Sequence, residues 1–481
     1  MTSIADRIGQ YLREHEAEIF ADLKTLVSYP SVKGTPEPDA PYGRACADVL
    51  EGAAALYRKN GFEADVFAGR GYALAYLGAR PEAGTPYTGV MTHADVVPVT
   101  AADWIKTSDP FDMVDLGDLV LGRGVADDKH AVVGMLWIYR AIRDLGIGLA
   151  HGMTTFIGCE EESGMTDIRH FKQDQPLPSV AVVPDGSYPV SFGERGSFRA
   201  RVVSRAALSD FTDIQGGTAY NTVLGTLTAR VRKVDGLAGF LAANPREWLD
   251  VNEGEDGGLV LTARGISSHG GRPQHGESAL RRFCGLLSGF GGFSAPDAAI
   301  LSAAARILDD CWGECLGAAA DDPDMGRLTI ANGMVWCEDG HLVFTFDCRF
   351  GPSVDKQAKK DQIASALDAL GFDFFPTKGG TAFRIDPQDP LAVTFLDSFR
   401  RYSGKADATY YYMSGGTYSK VLWPECPSFS TGVSYGAYAS RLGLGPGHGK
   451  IHEADEVLGK AEYLRGLSIL AGILTDLDRA Y

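Results

Sequence analysis

The sequence predicts an α/β fold into which a second, α+β domain is inserted. Three observations lead to this prediction. The chain has 481 residues, which is too long for one simple core. Strand and helix patterns alternate as far as position 190, and the same alternation returns from position 390. Between these two regions, several short segments alternate apolar and polar residues, which is typical of antiparallel strands. We therefore divide the chain into 1–190, 191–385 and 386–481.

The first region combines helices, in which apolar residues recur every three or four positions, with short apolar strands. The helix predicted over 4–28 ends before Tyr29-Pro30, because proline disfavours a helical conformation at the preceding residue. Further helices are predicted over 45–60 and 131–145, and strands over 62–67, 72–77, 88–93, 154–158 and 180–183. Strands that alternate with helices imply a largely parallel sheet covered on both faces.

The middle and last regions differ in texture. The middle region has predicted strands over 198–203, 221–231, 258–266, 342–350 and 372–375, and helices over 278–287, 298–316 and 354–370. The last region has predicted helices over 392–402 and 461–477 and a strand over 428–431. An insertion explains why the first pattern returns, and it brings both termini into one domain.

Charge and composition exclude several classes of partner. The net charge of −17 argues against nucleic acid and anionic membranes, since both bind basic surfaces. No apolar stretch reaches the roughly 18 residues that a membrane span needs. The eight cysteines are scattered, and Cys311 and Cys315, four apart on a predicted helix, have no second pair at zinc-ribbon spacing. We expect reduced thiols and a cytoplasmic enzyme that acts on small molecules.

The segment 121–129, LGRGVADDK, concentrates negative charge in front of a predicted buried helix. Gly122 and Gly124 allow the backbone to bend tightly. The adjacent carboxylates of Asp127 and Asp128 repel each other unless a cation or base is near. We expect Asp128 to support the loop by pairing with Lys129 or with a nearby backbone donor.

Four other segments carry polar side chains near predicted strand ends or in a glycine-rich loop. His93 and Asp95 end one strand, and strand alternation places them on the same side, so that Asp95 can orient the imidazole. The run 160–162 is three glutamates, Asp185 follows another strand, and His452 lies in GHGKIHEADE. Taken singly, these are a polar strand end, a solvated charge run, a turn aspartate and a surface histidine.

Together these segments supply two imidazoles and three carboxylates. Such a set suits two divalent ions that share one carboxylate and keep positions open for water and substrate. The expected ligands are His93, Asp127, Glu162, Asp185 and His452. Glu161, beside Glu162, is the spare carboxylate that would act as general base.

The motifs HADVVP, GRGVADDK, CEEESG, VVPDGSYP and IHEADE resemble, in this order, those of the aminoacylase–carnosinase family of dinuclear zinc peptidases. The tripeptide DPF at 109–111 and GGTYSK at 415–420 are most similar to the monomeric bacterial dipeptidases of the Xaa-His, or β-alanyl, type. The resemblance implies a zinc-peptidase-like α/β/α sandwich as catalytic domain, formed by 1–190 and 386–481. It also implies an inserted α+β lid domain over 191–385.

The resemblance also implies a role for each ligand. His93 and Asp185 would hold one metal ion and Glu162 and His452 the other, with Asp127 as the bridge. Zinc is the expected metal, and manganese is the alternative, because a nitrogen and oxygen donor set accommodates either.

Further residues match the family's substrate-binding positions. His269 matches the lid histidine that stabilises the oxyanion, and Asn221 and Arg349 match substrate-binding residues of the lid. Gly416 and Thr417 match the segment that holds the terminal carboxylate of the substrate. An enlarged lid in one chain is similar to that of the monomeric relatives, so a monomer is expected.

The implied reaction is hydrolysis of the amide bond of a dipeptide. Glu161 would take a proton from a metal-bridging water and return it to the leaving amine, while Asp95 would orient His93. Two alternatives stay open: a deacylase of N-acetyl or N-succinyl amino acids, and a metal-dependent binding protein without catalysis. Three positions depart from the family pattern without being ligands, namely Thr92, Glu160 and His130.

Overall fold

The computed structural model describes residues 3–254, 257–432, 438–445 and 447–481. Contacts divide the chain into two compact units. Unit 1 comprises Met1–Gly193 and Ile385–Tyr481, and unit 2 comprises Glu194–Arg384. The assignment of a catalytic and a lid role to such units stays a prediction. None of the helices in the described part of the chain has the length and apolarity needed to cross a membrane.

Twelve α-helices are found among the described residues. They are α1 Ile4–Glu14, α2 Glu16–Val27, α3 Arg44–Lys59, α4 Lys129–Asp144, α5 Thr166–Asp174, α6 Leu237–Ala243, α7 Ala279–Leu287, α8 Ala295–Ile307, α9 Lys356–Ala369, α10 Pro390–Ser403, α11 Ser419–Leu422 and α12 Lys460–Leu477.

The strands of the described segments fall into two large and two small sheets. They are β1 Glu63–Phe67, β2 Tyr72–Leu77, β3 Thr88–His93, β4 Val114–Asp115, β5 Leu119–Leu121, β6 Met153–Gly158, β7 Val180–Val183, β8 Ser191–Glu194, β9 Gly196–Ser204, β10 Phe211–Gly216, β11 Thr226–Val231, β12 Leu249–Glu253, β13 Leu259–Arg264, β14 Asp321–Asp322, β15 Gly326–Arg327, β16 Thr329–Ala331, β17 Val335–Glu338, β18 His341–Phe350, β19 Phe372–Pro376, β20 Phe383–Arg384, β21 Tyr411–Met413, β22 Ser428–Ser430 and β23 Val457–Gly459.

The large sheet of unit 1 is parallel only at its centre. Its strands follow the order β1-β2-β6-β3-β7-β22-β8. The pairs β6/β3, β3/β7 and β7/β22 are parallel, whereas β1/β2, β2/β6 and β22/β8 are antiparallel. The prediction of a largely parallel sheet was therefore wrong at the edges, because the antiparallel strand β2 has a continuous apolar sequence like that of a parallel strand.

Helices cover both faces of this sheet. On one face Phe156 of β6 packs with Ile168 and Phe171 of α5 and with Leu422 of α11. On the other face the hydroxyl of Thr155, one residue earlier, donates to the Tyr139 hydroxyl of α4 at 2.9 Å. Because successive side chains of a strand point to opposite faces, the layers are α/β/α, which confirms the predicted fold class.

Unit 2 has an antiparallel sheet with helices on its apolar face. The strand order is β12-β13-β11-β10-β17-β18-β9-β19, with β16 beside β18. Alternate residues of β9 and β18, such as Phe198 and Phe344, join the core with Phe283 of α7, Leu301 of α8 and Leu367 of α9. This hydrocarbon core and the sheet agree with the predicted α+β pattern.

Three local predictions were wrong. The helix predicted over 4–28 divides at His15, which is the C-cap of α1 and the N-cap of α2. The strand predicted over 221–231 starts at Thr226, because Val223 donates its N–H to Ser268 in another loop. The helix predicted over 298–316 ends at Ile307, so Cys311 and Cys315 lie in a turn instead.

The turn that follows α8 has a clear physical cause. The carboxylate of Asp310 accepts backbone N–H groups from Trp312, Glu314 and Cys315, which competes with helical hydrogen bonding. Gly313, with a φ of 77°, then adopts the left-handed region. Both cysteines are free thiols.

Candidate metal centre

The central parallel strands of unit 1 bring three polar segments to one edge of the sheet. In the parallel pair of β3 and β6, His93 lies opposite Gly158, so the glutamates at 160–162 follow just beyond it. Asp185 follows β7, the next parallel strand. Because the carboxyl ends of parallel strands meet at the same edge, His93, Glu161, Glu162 and Asp185 converge there.

A small antiparallel sheet brings the remaining two predicted ligands together. Strand β5 leads into the loop that holds Asp127, and β23 begins after the loop that holds His452. Val457 of β23 pairs with Leu121 of β5, so the two loops leave the same end of the ladder. The peptide bond between Asp127 and Asp128 is cis.

Asp127 presents one carboxylate oxygen to each histidine. Its Oδ1 lies 3.1 Å from Nε2 of His93, and its Oδ2 lies 3.0 Å from Nε2 of His452. Nε2 of His452 is also 3.0 Å from Oε2 of Glu162, and Nε2 of His93 is 3.9 Å from Oδ2 of Asp185. A carboxylate that faces two imidazoles in this way has the geometry of a bridging ligand.

The His93 ring is oriented for binding through Nε2. Its Nδ1 lies 3.1 Å from the backbone carbonyl oxygen of Asp95 and 3.3 Å from the Asp95 carboxylate. A carbonyl oxygen only accepts, so the hydrogen bond assigns a proton to Nδ1. With its Nδ1 side turned to Asp95, the ring directs Nε2 towards Asp127 and Asp185.

Asp95 also holds the glutamate segment in place. Its Oδ1 accepts the backbone N–H of Glu161 and its Oδ2 accepts that of Glu162, each at 3.2 Å. A single buried carboxylate therefore fixes both the His93 ring and the backbone of the two glutamates. These contacts are those expected of an outer-shell residue that orients ligands.

The donor atoms form two groups, each with ligand atoms within 4.8 Å of one another. The first group is His93, Glu161 and Asp185, and the second is Asp127, Glu162 and His452. Sequence reasoning placed Glu161 as a base only, whereas here its carboxylate lies among the donors around His93. Both groups consist of nitrogen and oxygen donors, which suit zinc or manganese.

Several of these donors are buried without a hydrogen-bond partner. They are Nε2 of His93 and one oxygen each of Glu161 and Glu162. Buried polar atoms are almost always satisfied in folded proteins, so this cluster is incomplete without a ligand. The residues therefore fit a pair of divalent cations.

The electrostatics of the cluster lead to the same conclusion. Burial and then the charge of Asp185 raise the pKa of Glu161 well above its usual value. Burial and then Asp127 raise the pKa of Asp185 in the same direction. Burial lowers the pKa of His452, but hydrogen bonds to Asp127 and Glu162 outweigh it and raise that pKa to about 11. Carboxylates crowded in this way hold protons unless cations neutralise them.

Unit 2 gathers the three residues predicted for the lid. Two loops meet at an isolated antiparallel β-bridge between Thr222 and His269. Beside it, Gly270 donates its N–H to the Asn221 carbonyl at 2.7 Å. The guanidinium of Arg349 donates to the Asp347 carboxylate at 2.8 Å. A Cβ on Gly270 would lie 2.9 Å from that carboxylate, so Asp347 lies close to the residue that follows His269.

Gly416 and Thr417 lie in unit 1, directly before α11. Thr417 is buried, and its hydroxyl is 2.8 Å from that of Ser430 in β22. A Cβ on Gly416 would meet the Lys420 ammonium, so glycine leaves room for that cation. A cation beside the segment is compatible with the predicted carboxylate binding.

The positions that depart from the family pattern have structural partners. Thr92 donates its hydroxyl to the Phe156 carbonyl at 2.8 Å. Glu160 forms an ion pair with Lys33 and accepts the N–H of Thr166, which directs it away from the donor groups. His130 is fully buried with its ring centroid 5.6 Å from that of Tyr463.

Burial lowers the pKa of His130 to about 3, so the ring is neutral. Of the two partners expected for Asp128, Lys129 or a backbone donor, the structure shows a backbone donor: the Asp128 carboxylate accepts the N–H of His93 at 3.3 Å. Lys129 instead donates to the Tyr29 carbonyl at 2.6 Å.

Sequence reasoning missed two buried carboxylates that follow His452. Asp455 accepts N–H groups from Ile105 and Lys106 and lies 2.7 Å from Nδ1 of His448. Glu456 accepts backbone N–H groups from the loop that carries Asp127. The available signal was two adjacent acidic residues directly before an apolar strand, where burial of a charge requires a partner.

The chain belongs to the peptidase family M20/M25/M40, whose model matches residues 89–476. The match includes all five predicted metal ligands. It confirms the family resemblance that the ordered motifs indicated.

Relatives agree over nearly the whole chain. A Staphylococcus aureus (strain MW2) protein named "Putative dipeptidase" is 24% identical over 478 residues, which cover 95% of this chain and 96% of that protein. A solved structure of the dipeptidase Dug1p from Saccharomyces cerevisiae has a TM-score of 0.61 and 14% identity, with 100% of this chain and 99% of that chain covered. Human carnosine dipeptidase 1 has a TM-score of 0.58 and 15% identity, with 99% and 100% covered. The two structures show the same fold.

Proposed function

We propose that the protein is a dinuclear metallopeptidase that hydrolyses the amide bond of dipeptides. The observation that carries the proposal is the position of Asp127, which presents one oxygen to each of two histidines at 3.1 and 3.0 Å. In an M20-family chain, this arrangement supports two ions with Asp127 between them. The dipeptidase names of the relatives support the substrate class.

Five residues would hold the metal ions, namely His93 and Asp185 at one, Glu162 and His452 at the other, and Asp127 at both. Two divalent ions at this site would acidify a water molecule and polarise the amide carbonyl. Zinc is the proposed metal and manganese the alternative.

Glu161 is the proposed general base and acid. Its carboxylate lies among the donor atoms around His93, close to where a metal-held water would sit, and a general base must be within reach of the proton it takes. It would take a proton from the attacking water and return it to the leaving amine. Asp95 keeps the carboxylate in position through the backbone N–H of Glu161.

The remaining substrate contacts are proposed from the family motifs. His269 would stabilise the oxyanion, Asn221 and Arg349 would bind the substrate, and Gly416 with Thr417 would hold its terminal carboxylate. Holding that carboxylate favours short substrates over internal peptide bonds. We also propose that the protein is a cytoplasmic monomer. Size-exclusion chromatography with light scattering tests the oligomeric state.

The decisive experiment is the substitution Glu161→Gln. It keeps the size of the side chain but removes the proton acceptor, so we expect turnover of a dipeptide to fall by about 10²–10⁴-fold. Metal content, measured by mass spectrometry of the elements, should stay near two ions per chain. Turnover within a few-fold of wild type would refute the assignment of the base.

Glu160→Gln is the matched control. It changes a glutamate next to Glu161 whose side chain is engaged by Lys33 and Thr166. We expect this variant to retain turnover.

A panel of dipeptides against N-acetyl and N-succinyl amino acids, run with zinc and with manganese, then tests the substrate class.

A further inference from the structure

Glu456 lies at the junction of the two loops that carry Asp127 and His452. It is four residues after His452 and directly before β23, and its side chain is fully buried. Since β23 pairs with β5, this position is adjacent to the start of the loop that leads to Asp127. A buried carboxylate at such a junction requires partners.

The partners are four N–H groups of a single loop. Oε1 of Glu456 accepts the backbone N–H of Ala126 at 2.7 Å and that of Asp127 at 3.1 Å. Oε2 accepts the backbone N–H of Gly124 at 3.0 Å and Nη1 of Arg123 at 2.7 Å. The carboxylate therefore holds the backbone of the bridging residue itself.

Two further hydrogen bonds connect the same loops. The backbone carbonyl of Glu456 accepts the N–H of Gly122 at 3.0 Å. Nη2 of Arg123 donates to the backbone carbonyl of Glu453, one residue after His452, at 3.0 Å. The loops are thus joined at several points between their two ligand residues.

The His452 loop has a backbone that needs such support. His452 has a φ of 63° and Asp455 a φ of 52°, both in the left-handed region that residues other than glycine seldom adopt. Such conformations persist only where the surrounding structure determines them. Glu456, next to Asp455, attaches this part of the loop to the loop that carries Asp127.

We propose that Glu456 is a positioning residue that fixes Asp127 and His452 relative to each other and so sets the affinity of the metal site they share. Glu456 contacts backbone groups and Arg123, and it acts on the site only through these two ligands. The inference rests on the proposed function for the statement that both residues bind metal.

The test is Glu456→Gln. The amide places an NH₂ group where one oxygen accepted N–H groups, so at least one of the loop contacts is lost. Losses of outer-shell contacts typically weaken metal binding by about 10–100-fold, which is the change we expect in the dissociation constant for zinc. Competition with a chromophoric chelator measures this constant without any substrate.

A kinetic measurement separates positioning from catalysis. At zinc concentrations that saturate the variant, kcat and KM for a dipeptide should return to within a few-fold of wild type. Glu453→Gln is the matched control, because it makes the same charge change in the same loop and its side chain contacts Lys450, whose backbone N–H it accepts and whose ammonium lies 3.7 Å away. We expect wild-type zinc affinity for this control.

Each outcome decides one of the two proposals. Wild-type zinc affinity in Glu456→Gln would overturn the positioning role and leave the dipeptidase proposal intact. If Glu456→Gln binds zinc more weakly but the wild-type protein hydrolyses no dipeptide, the positioning role is supported and the proposed substrate class is refuted. A Glu456→Gln chain that does not fold, as judged by circular dichroism, would overturn the inference, since Glu456 would then serve the fold and not the site.

Discussion

The two units are built from the same kinds of element, and each has an apolar core, but among the described residues the crowded clusters of potential metal ligands lie in unit 1. Unit 1 buries charged side chains at the end of a parallel core, where His93, Asp95 and Asp127 are almost inaccessible. Unit 2 buries hydrocarbon between its antiparallel sheet and its helices, with Phe283 and Leu301 at the centre. Among the described residues, both candidate metal groups belong to unit 1.

The difference follows from strand direction. The carboxyl ends of neighbouring parallel strands lie at the same edge of a sheet, so the residues that follow β3, β6 and β7 come together there. Neighbouring antiparallel strands end at opposite edges, so residues that follow them in unit 2 are separated. The unit 2 residues Asn221 and His269 come together through a bridge between loops instead.

The largest expected effect comes from changing Asp127, the proposed bridging ligand. Asp127→Asn removes the negative charge of the residue that faces both histidines, so we expect metal content to fall below two ions per chain. Turnover should drop by more than roughly 10⁴-fold, the upper end of what a general base contributes. Elemental analysis and a dipeptide assay measure the two changes. Asp118→Asn, at an exposed aspartate paired with Arg441, is the control. Two tightly bound ions in Asp127→Asn would contradict the bridging role.

A change in unit 2 should separate chemistry from metal binding. We expect His269→Ala to lower turnover by about 10²–10³-fold, the usual loss when one oxyanion donor is removed, with metal content unchanged. His275→Ala removes an exposed histidine of the same segment and should have wild-type activity. If both variants had wild-type turnover, unit 2 would contribute no oxyanion donor at this position.

The smallest effect concerns stability and pH. Asp167 is fully buried in unit 1, where it accepts N–H groups from Cys159 and Glu160 and the hydroxyl of Tyr418. Burial and then the charge of Asp95 raise its pKa to about 6 from 3.8. Because the folded pKa lies above the unfolded one, the contribution to stability is complete below pH 3.8 and is lost as pH rises through 6.

The shift corresponds to about 3 kcal/mol, since one pKa unit is about 1.4 kcal/mol. In the metal-free protein, the free energy of unfolding of Asp167→Asn should therefore depend less steeply on pH between 4 and 6 than that of wild type. Urea denaturation at several pH values measures the difference. Equal slopes would show that Asp167 does not titrate in this window.

The sequence was sufficient for the fold class and the family because both depend on local patterns. The strand over 88–93 was predicted with its observed bounds, and the motifs that follow strands carried the ligand predictions. The direction of β2 was not predictable, because its sequence YALAYL is as apolar as the parallel strands. The place of Glu161 among the donors depends on side-chain geometry that spacing does not contain.

The loop connections were also beyond sequence reasoning. The contact of Glu456 with Asp127 joins positions 329 residues apart, and no periodicity relates them. The same is true of Asp95, whose bonds to Glu161 and Glu162 arise only once β3 and β6 are paired. Strand pairing thus determines which carboxylate supports which ligand.

The left-handed backbone at His452, a proposed ligand, limits which residues could replace it to change the metal that the proposed site prefers. Histidine, aspartate and asparagine are the larger residues that tolerate such a conformation best, whereas β-branched residues are outliers there. An aspartate at position 452 would supply the harder oxygen donor that suits manganese without opposing the backbone. His93, in a regular strand, imposes no comparable restriction. A change of metal through ligand substitution is therefore more narrowly constrained at position 452 than at position 93.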